Sequence, residues 1–400
     1  MNAGGIGLKL FFALGPGDVV GDIRRIRDRN DDSGETSITF SEQVYDYVKA
    51  KDYRALAVSH HPRRDAIDVG SFSAMNLPKR FAGRSGLMFQ ISQIAYGITL
   101  ARRARRFGAD IAIIDAGGTH NFMLVLFRLL GIRVAVNFHN VRWPIGYEPT
   151  GFVRQLVRAL DSWFFRNFAD AAMGCSPECG NQARADGADR LPYFGWCGQY
   201  SADGFDPARP EPRDDVFRVM FAGRVEQSKG VFDLIDIATA LSARCARPVA
   251  FHVCGEGSAL QPLRDLVATR DLGHLITVHG RLERAELLDQ YTRADVVIVP
   301  TRGNFCEGMP LVCAEAMLAG RPVVTSRLSN ALPVIGDAIA EAAPEDVESY
   351  VAALLRLAED PAFYEERRAA CAPAALQFLD RTQGYDVAID RVVSLLSAAR

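Results

Sequence analysis

The sequence predicts an α/β fold with two doubly wound domains, and three observations support this prediction. The chain has 400 residues, two to three times the usual length of a single domain. In both halves, short continuous apolar runs alternate with longer helical stretches, which is typical of parallel strands buried on both faces. Residues 201–215 contain three prolines and several charged side chains but little to bury, which indicates a linker.

The N-terminal half predicts one Rossmann-like domain over residues 1–205. Ser41 and Glu42 suit the start of a helix that reaches about residue 51, because Ser is a good N-cap and acidic residues favour the first turn. Residues 21–37 are so polar and charged that we expect a long loop or lid there. The predicted strands are 8–14, 54–59, 109–116 and 132–138, and further helices are predicted at 86–106 and 120–130.

The C-terminal half predicts a second Rossmann-like domain over residues 216–375, after a linker at 206–215. A final helix at 376–400 is expected to cross back to the first domain. Ligands of doubly wound sheets bind beyond the carboxyl ends of the strands, so we expect the two domains to face each other across a ligand-binding cleft. The predicted strands are 217–223, 248–255, 275–280, 294–300 and 321–326, and the helices are near 230–244, 258–271, 283–291, 310–319 and 345–358.

Charge and cysteine content narrow the range of partners. The net charge of −2 excludes a generic nucleic-acid binder, but it hides an asymmetry. Residues 1–205 carry 25 basic and 20 acidic side chains, and residues 49–106 alone carry 12 basic and 3 acidic ones, so the first half has a reason to face an anionic partner. Eight cysteines without metal-ligand or disulfide spacing favour a reducing compartment, and we expect a cytoplasmic protein.

The stretch from Gly223 to Gly230 predicts an anion site. Arg224 and Lys229 follow a predicted strand and precede a helix N-terminus. A guanidinium can grip a phosphate with two hydrogen bonds while an ammonium acts as a mobile point charge, and a helix N-terminus favours the same ligand. A pair of solvated surface cations at a strand–helix turn is the alternative interpretation.

A second candidate segment spans residues 301–324. Pro310 suits the first helical position, so the N–H groups of Leu311 and Val312 are expected to point at a phosphate. Gly308 allows close approach of the backbone to a ligand. Glu307 and Glu315 are expected at opposite ends of an elongated ligand, where carboxylates accept hydrogen bonds from vicinal hydroxyls. Taken alone, the sequence around Glu315 is also simply good helix sequence.

Taken together, these segments resemble retaining GT-B glycosyltransferases of family 4, closely over residues 217–330 and in outline over the N-terminal half. The resemblance rests on the Glu307-x7-Glu315 spacing, the sequence GRVEQSKG upstream and VCGEGSALQPLRDLV between them. It implies a hexosyltransferase that moves a sugar from a nucleoside diphosphate-sugar to a glycan, a lipid-linked or another acceptor, with retention of configuration, as in polysaccharide biosynthesis. Arg224 and Lys229 would bind the donor diphosphate, Glu307 the sugar and Glu315 the ribose.

The resemblance extends to weaker positions. His139 would lie beside the donor sugar and complete the catalytic group, whereas His120 would touch either substrate. Gly15 and Gly17 stand where the family has a glycine loop near the diphosphate and acceptor. For each histidine a hydrogen-bonded structural role is the alternative, and for the glycines an ordinary turn. Further donor-side positions implied by the family context are Gly223, Glu256 and Gly257, and Met309 stands with Pro310 where the family usually has Phe-Gly.

Other ligand classes fit less well. Gly255 and Gly257, like Gly15 and Gly17, lack the third glycine of a dinucleotide-binding motif, since Leu260 and Val20 occupy that position. The chain contains no Asp-x-Asp pair to clamp a diphosphate through a metal ion, so we expect neither a metal nor a cofactor. A non-hydrolysing sugar-nucleotide epimerase and a non-catalytic sugar-nucleotide binding protein remain alternatives, although the complete set of donor residues argues against the second.

The basic stretch 79–106 has two interpretations. Three basic residues precede a mostly apolar 14-residue segment, and four arginines at 102–106 follow it. Fourteen residues are too few to span a bilayer, but an interfacial helix with a basic collar could touch an anionic membrane surface. A buried core helix with a solvated basic end is the alternative. The first interpretation predicts a peripheral protein at the inner face of the membrane.

Overall fold

The computed structural model describes residues 7–28, 35–187, 190–201, 204–207 and 215–398. It divides into two compact units. The first unit comprises Met1–Asn140, Pro149–Cys197 and Thr382–Arg400, and the second comprises Val141–Glu148 and Gly198–Arg381. Most of the predicted linker, residues 208–214, lies outside the described residues.

The first unit contains, among the described residues, an eight-stranded sheet in the order β3-β4-β2-β1-β5-β6-β7-β8. All its neighbours pair in parallel except β3 and β4, which form an antiparallel hairpin at one edge. The strands are β1 (Lys9–Ala13), β2 (Arg54–Ser59), β3 (Asp65–Val69), β4 (Phe72–Asn76), β5 (Ile111–Asp115), β6 (Arg133–Phe138), β7 (Ala171–Gly174) and β8 (Tyr193–Gly195). The helices are α1 (Val19–Arg27), α2 (Phe40–Ala50), α3 (Gly86–Phe107), α4 (Val125–Leu129), α5 (Phe152–Asn167) and α6 (Pro177–Gly187).

Helix α1 corrects the expectation of a long loop over residues 21–37. The Asp18 carboxylate caps the helix by accepting from the N–H of Gly21 at 2.9 Å, and Val19, Val20 and Ile23 are buried. Three apolar residues at helical spacing are enough to attach this charged helix to the sheet, because most helix stability in proteins comes from tertiary packing. Residues 29–34 of that stretch lie outside the described residues.

The second unit contains, in the described part of the chain, a six-stranded parallel sheet in the order β11-β10-β9-β12-β13-β14. Its strands are β9 (Phe217–Ala222), β10 (Val249–Cys254), β11 (Ile276–Gly280), β12 (Val296–Val299), β13 (Val323–Thr325) and β14 (Ile339–Glu341). Its helices are α7 (Asp233–Arg244), α8 (Leu260–Thr269), α9 (Arg284–Arg293), α10 (Leu311–Leu318), α11 (Leu332–Ile335), α12 (Val347–Glu359), α13 (Pro361–Ala369) and α14 (Cys371–Leu379). The core lies between the buried faces of these strands and helices such as α7 and α12.

Each sheet reverses its strand order at one point. In the first unit the reversal falls between β1 and β5, and in the second between β9 and β12. Doubly wound sheets bind ligands beyond the carboxyl ends of the strands at such a switch point. The loops that follow these four strands are therefore the first places to look for a site.

The C-terminal segment divides between the units. Helix α14 belongs to the second unit, and helix α15 (Tyr385–Ala398) belongs to the first, so the chain changes units near residue 382. Asp390 of α15 ion-pairs with Lys51 at 2.8 Å and accepts a hydrogen bond from the Tyr47 hydroxyl at 3.2 Å. These contacts hold α15 against α2.

Candidate functional site

The loop after β9 presents two cations. Arg224 is exposed, and Lys229 ends a short 3₁₀ turn at Gln227–Lys229. The loop after β10 holds this loop in place. The N–H of Val225 donates to the Glu256 carbonyl at 2.8 Å, and the Val225 carbonyl accepts from the N–H of Ala259 at 3.0 Å. The two cations therefore stand on a braced turn at the carboxyl edge of the sheet.

Gly257 and Gly255 are explained by this bracing. A Cβ on Gly257 would lie 2.2 Å from the carbonyl oxygen of Val225, and one on Gly255 would lie 1.8 Å from that of Gly223. Gly223 itself has φ 137°, a conformation that L side chains rarely adopt. The sequence predicted Gly223 and Gly257 as donor-side residues, and the structure gives both a local backbone reason.

Glu256 is exposed, and its described contact with the loop is through its backbone carbonyl. A side-chain contact between the loops after β9 and β10 is made by Glu226. Its carboxylate accepts from the N–H of Ser258 at 3.0 Å and from the Ser258 hydroxyl at 2.6 Å. Sequence reasoning missed Glu226.

The Phe305 ring contacts both cations. Its ring centroid is 4.1 Å from Lys229 Nζ and 5.3 Å from the Arg224 guanidinium carbon. Cations are attracted to the negative face of an aromatic ring, so Phe305 holds both groups near one spot despite their like charge. Sequence reasoning missed this residue, because a lone Phe in a loop carries no chemical signal of its own.

Glu307 meets Lys229 directly. Its Oε2 atom ion-pairs with Lys229 Nζ and accepts from the Thr301 hydroxyl at 3.3 Å. The side chains are only 16% exposed for Lys229 and 8% for Glu307. The Glu307 carbonyl also accepts from Asn330 Nδ2 at 2.6 Å and from the N–H of Val141 at 3.3 Å. The sequence predicted both Lys229 and Glu307, and their mutual contact is a product of the tertiary structure.

Helix α10 begins at Leu311, one residue later than predicted. Pro310 is the N-cap, with φ −63° and ψ 127°, rather than the first helical residue, and it makes no side-chain cap. Because the first N–H groups of a helix have no intrahelical acceptor, those of Leu311 and Val312 still form the helix N-terminus. Gly308 is buried and Met309 is partly buried in the segment that leads into it.

Glu315 lies on the buried side of α10, and its carboxylate accepts from the Tyr291 hydroxyl at 2.5 Å. Burial, together with this carboxylate, raises the pKa of Tyr291 well above its ordinary value, so the hydroxyl stays protonated and donates. This hydrogen bond orients the Glu315 carboxylate on the buried side of the helix.

The first unit brings two predicted residues together through Asp115, which sequence reasoning missed. Asp115 Oδ2 accepts from the N–H of Gly15 at 3.1 Å and lies 3.1 Å from His139 Nε2. Its Oδ1 accepts from Asn137 Nδ2 at 2.7 Å. The cluster joins the carboxyl ends of β1, β5 and β6, at the switch point of this sheet. A carboxylate that ends an otherwise apolar strand was a signal available in the sequence.

Aromatic rings surround His139. Phe40, Trp196 and Tyr385 approach it with ring centroids at 4.6, 5.2 and 5.9 Å. Burial opposes protonation of the imidazole, but Asp115 outweighs that effect and raises the pKa of His139 above its ordinary value. The contact of Nε2 with Asp115 Oδ2 and the surrounding rings hold the imidazole in one orientation.

His120 and Gly17 stand apart from that cluster. His120 stacks on Phe122 at 5.2 Å, and burial lowers its pKa. Its Nε2 atom is buried and has no hydrogen-bond partner among the described residues. Gly17 is exposed, with open space where a Cβ would lie and no positive φ. In the described residues no group of three His, Cys, Asp or Glu side chains is placed to hold a metal ion.

Comparison with known proteins shows what each part of the chain is similar to. Residues 204–378 match the family model of glycosyl transferases group 1. The glycogen synthase of Mycobacterium tuberculosis is 29% identical over 236 residues, which cover 54% of this chain and 52% of that protein. The chain thus spans about half the length of the curated relatives it matches.

Solved structures resemble the chain over nearly its whole length. Sucrose-phosphate synthase from Thermosynechococcus elongatus superposes with a TM-score of 0.73 at 15% identity, covering 98% of this chain and 100% of that one. Anabaena HepE, solved in complex with UDP and glucose, gives a TM-score of 0.62 at 15% identity, covering 98% and 100%. The α/β fold with parallel sheets is that of the GT-B glycosyltransferases, as predicted.

Proposed function

We propose that this protein is a retaining glycosyltransferase of the family 4 type, which transfers a sugar from a nucleoside diphosphate-sugar to an acceptor. The observation that carries the proposal is the group Arg224, Lys229, Phe305 and Glu307 at the switch point of the second sheet, next to the N-terminus of α10. The match of residues 204–378 to glycosyl transferases group 1 supports it.

The cations would bind the donor diphosphate. Arg224 is exposed and free to form a bidentate contact, and the Glu307 contact uses one of the three N–H donors of Lys229. Negative charge develops on the diphosphate as the bond to the sugar breaks, and fixed cations stabilise that charge without reorganisation. The same charge is compensated by the N–H groups of Leu311 and Val312, so the step needs no metal ion.

The two carboxylates would select the sugar nucleotide. Glu307 is held by Thr301 and Lys229 on the side chain and by Asn330 on the backbone, which orients it to accept from sugar hydroxyls. Glu315, oriented by Tyr291, would accept from the ribose. In the first unit, His139 would contact the transferred sugar and Gly15 the phosphate side of the substrate, both positioned by Asp115.

An epimerase is the less favoured function. It needs an acid and a base at the sugar's C2, whereas the titratable groups of the second unit's site are two cations and two oriented carboxylates, an arrangement suited to holding a leaving diphosphate. A purely binding role would require damage to this group, and all four predicted charged residues are present.

Calorimetric titration tests the proposal. Purified protein is titrated with UDP, GDP, ADP and dTDP, each with and without EDTA, and one nucleotide is expected to bind regardless of EDTA. Arg224→Gln should weaken that binding about ten- to a hundredfold, because a hydrogen bond to a charged group contributes roughly 1.5–3 kcal/mol. The control Arg270→Gln, in an exposed ion pair with Asp236, should bind normally. Binding to none of the nucleotides would contradict the proposal.

The anomeric configuration of the product, read by NMR, tests retention.

The first unit exposes apolar side chains that suit a peripheral membrane contact on the cytoplasmic side. They lie on the first turns of α3 and along one side of α5, and the turn at 121–124 contacts both helices. Thr119, just before that turn, donates to the Gln93 carbonyl of α3, and Asp161 of α5 accepts from Asn121 and from the N–H of Phe122. No described helix is long and apolar enough to cross a membrane. The exposed side chains are Phe81, Leu87, Met88, Phe89, Ile91 and Ile94 near α3, and Phe152, Val153, Leu156, Leu160 and Trp163 on α5.

This geometry moves the membrane hypothesis away from the arginines at 102–106. They occupy the last turns of α3, roughly 20 Å along the helix axis from its exposed apolar turns at 1.5 Å per residue. We therefore expect Leu87→Ser with Phe152→Ser to abolish sedimentation with anionic liposomes. The matched variant with glutamines at Arg102, Arg105 and Arg106 should sediment normally. The reverse result would contradict this placement.

A further inference from the structure

Lys79, in the first unit, is a half-buried cation that has no counter-charge among the described residues. It follows β4, and its Nζ donates to Gln93 Oε1 at 3.3 Å and to the carbonyl of Gly117 at 3.4 Å. It also lies 5.4 Å from the centroid of the Tyr96 ring. Both acceptors are neutral and distant, and no carboxylate of the described residues forms an ion pair with it. Buried charges are normally paired, so this one requires an explanation.

Two polar atoms without partners belong to residues close to Lys79. Tyr96, whose ring lies 5.4 Å from Lys79 Nζ, is only 4% exposed, yet its hydroxyl has no hydrogen-bond partner among the described residues. The same holds for Nε2 of His120, a residue whose pKa the Lys79 charge helps to lower. His60 lies edge-on to Tyr96 with ring centroids 6.0 Å apart. A buried hydroxyl left without a partner costs about 1–3 kcal/mol, so a cluster of such groups is expensive unless a ligand satisfies it.

The charged groups nearby are accounted for. Asp115, which faces His60, is held by Gly15, Asn137 and His139. Asp161, which faces His120, accepts from Asn121 Nδ2 and the N–H of Phe122. Arg80 is exposed beside Lys79 and adds positive charge.

The protonation states follow from burial. Burial lowers the pKa of Lys79 to about 8, and burial with the nearby Lys79 charge lowers the pKa of His60 to about 4. Burial also lowers the pKa of His120. Near neutral pH the cluster therefore combines one cation with neutral hydrogen-bonding groups, an arrangement that attracts an oxyanion.

We propose that Lys79, Tyr96, His60 and His120 bind an oxyanion, a phosphate or a carboxylate, carried by the acceptor of the glycosyl transfer. The identification of the ligand as a glycosyl acceptor rests on the proposed function, but all four residues of the site belong to the first unit. The residues reach it from the carboxyl ends of β2, β4 and β5 and from the inward face of α3. Lys79 supplies the charge, and the Tyr96 hydroxyl and the neutral imidazoles supply hydrogen bonds.

Competitive acylation tests the site without a known acceptor. The chain has five lysines, Lys9, Lys49, Lys51, Lys79 and Lys229, so each can be followed by mass spectrometry after a pulse of acetic anhydride. The two pKa values, about 8 for Lys79 and about 10.5 for an ordinary lysine, imply an about 300-fold larger free-amine fraction for Lys79 at pH 7. Inorganic phosphate and acetate are the probes, and UDP is added in a separate arm.

We expect phosphate or acetate to slow acylation of Lys79 by about tenfold or more at saturation, because a bound anion both covers the amine and raises its pKa. Lys49 is the matched control, since it is exposed and also lies over a tyrosine ring, 5.9 Å from Tyr45. Tyr96→Phe should weaken the protection of Lys79 by phosphate without changing the labelling of Lys49.

The outcomes separate this inference from the proposed function. Protection of Lys229 by UDP with no protection of Lys79 by either anion overturns the inference and leaves the donor site intact. Protection of Lys79 by phosphate without an effect of UDP on Lys229 supports the anion site and contradicts the donor site. Glycerol 3-phosphate and vesicles of phosphatidylcholine and phosphatidic acid then distinguish a soluble phosphate from a lipid headgroup. Protection of Lys79 by the phosphatidic acid vesicles but not by glycerol 3-phosphate supports the site and assigns its oxyanion to a lipid headgroup.

Discussion

Replacing Lys229 with Met separates its structural role from its catalytic one. The ammonium is paired with Glu307 in a place where the two side chains are 16% and 8% exposed. Removing one partner of a buried ion pair leaves an uncompensated charge, and this typically costs about 3–5 kcal/mol. The Thr301 hydroxyl, 3.3 Å from Glu307, offsets part of that loss, so we expect the lower end, about 3 kcal/mol.

The double variant Lys229→Met with Glu307→Gln provides the decisive control. Lys229→Met alone leaves the Glu307 carboxylate buried and unpaired, and the second change removes that charge. The free energy of unfolding of the double variant should therefore return to within about 1–2 kcal/mol of the wild type. Turnover should be lower than in the wild type by about two orders of magnitude or more in both variants, because each lacks the Lys229 ammonium that stabilises the leaving diphosphate.

Urea unfolding and single-turnover sugar transfer measure the two quantities. If the double variant were no more stable than Lys229→Met alone, the energetic role assigned to the ion pair would be wrong. If Lys229→Met kept near-normal turnover, the assignment of this lysine to the diphosphate would be wrong.

Two other perturbations test the scaffold of each unit. Gly257→Ala should lower the free energy of unfolding in urea by about 1–3 kcal/mol, because the added Cβ would lie 2.2 Å from the Val225 carbonyl oxygen. Gly273→Ala is the control and should not lower it, because a Cβ there has open space around it. Equal effects of the two changes would refute the close approach at Gly257. The His139–Asp115 pair raises the pKa of His139, so its contribution is complete below the unfolded pKa of about 6.5 and is lost as pH rises through the folded value. Asp115→Asn should therefore destabilise the protein more at about pH 6 than at about pH 9, and a loss that does not depend on pH would contradict the charged pair.

The alternation of strands and helices was predictable because burial on both faces requires continuous apolar runs. The runs at β1, β2, β5, β6 and β9 to β13 stand out in the sequence for that reason. Five strands were missed, namely β3, β4, β7, β8 and β14. Strands β3 and β4 mix polar and apolar residues, and β7, β8 and β14 have only three or four residues each. Helix α1 was missed because its charges obscured three well-spaced apolar residues.

The candidate site was predictable where chemistry and position coincide. Arg224 and Lys229 follow a strand, and Glu307 precedes a helix, so the sequence alone locates them at the carboxyl edge of a sheet. Phe305 and Asn330 were not predictable, because their roles depend on contacts with residues far apart in the chain, Arg224 and Lys229 for the ring and Glu307 for the amide.

The sequence by itself determined the fold class, the order of the strands along the chain and the identity of the charged groups at the switch point of the second sheet. These follow from local patterns, namely the period of the apolar residues, the position of prolines and glycines, and charges at strand ends. Only the tertiary structure decided that Lys229 pairs with Glu307 and that Asp115 joins Gly15 to His139. It also decided that Lys79 is half-buried with no counter-charge among the described residues. The reason is physical: pairing and desolvation depend on which residues meet in space, and a linear pattern contains no information about distance between strands.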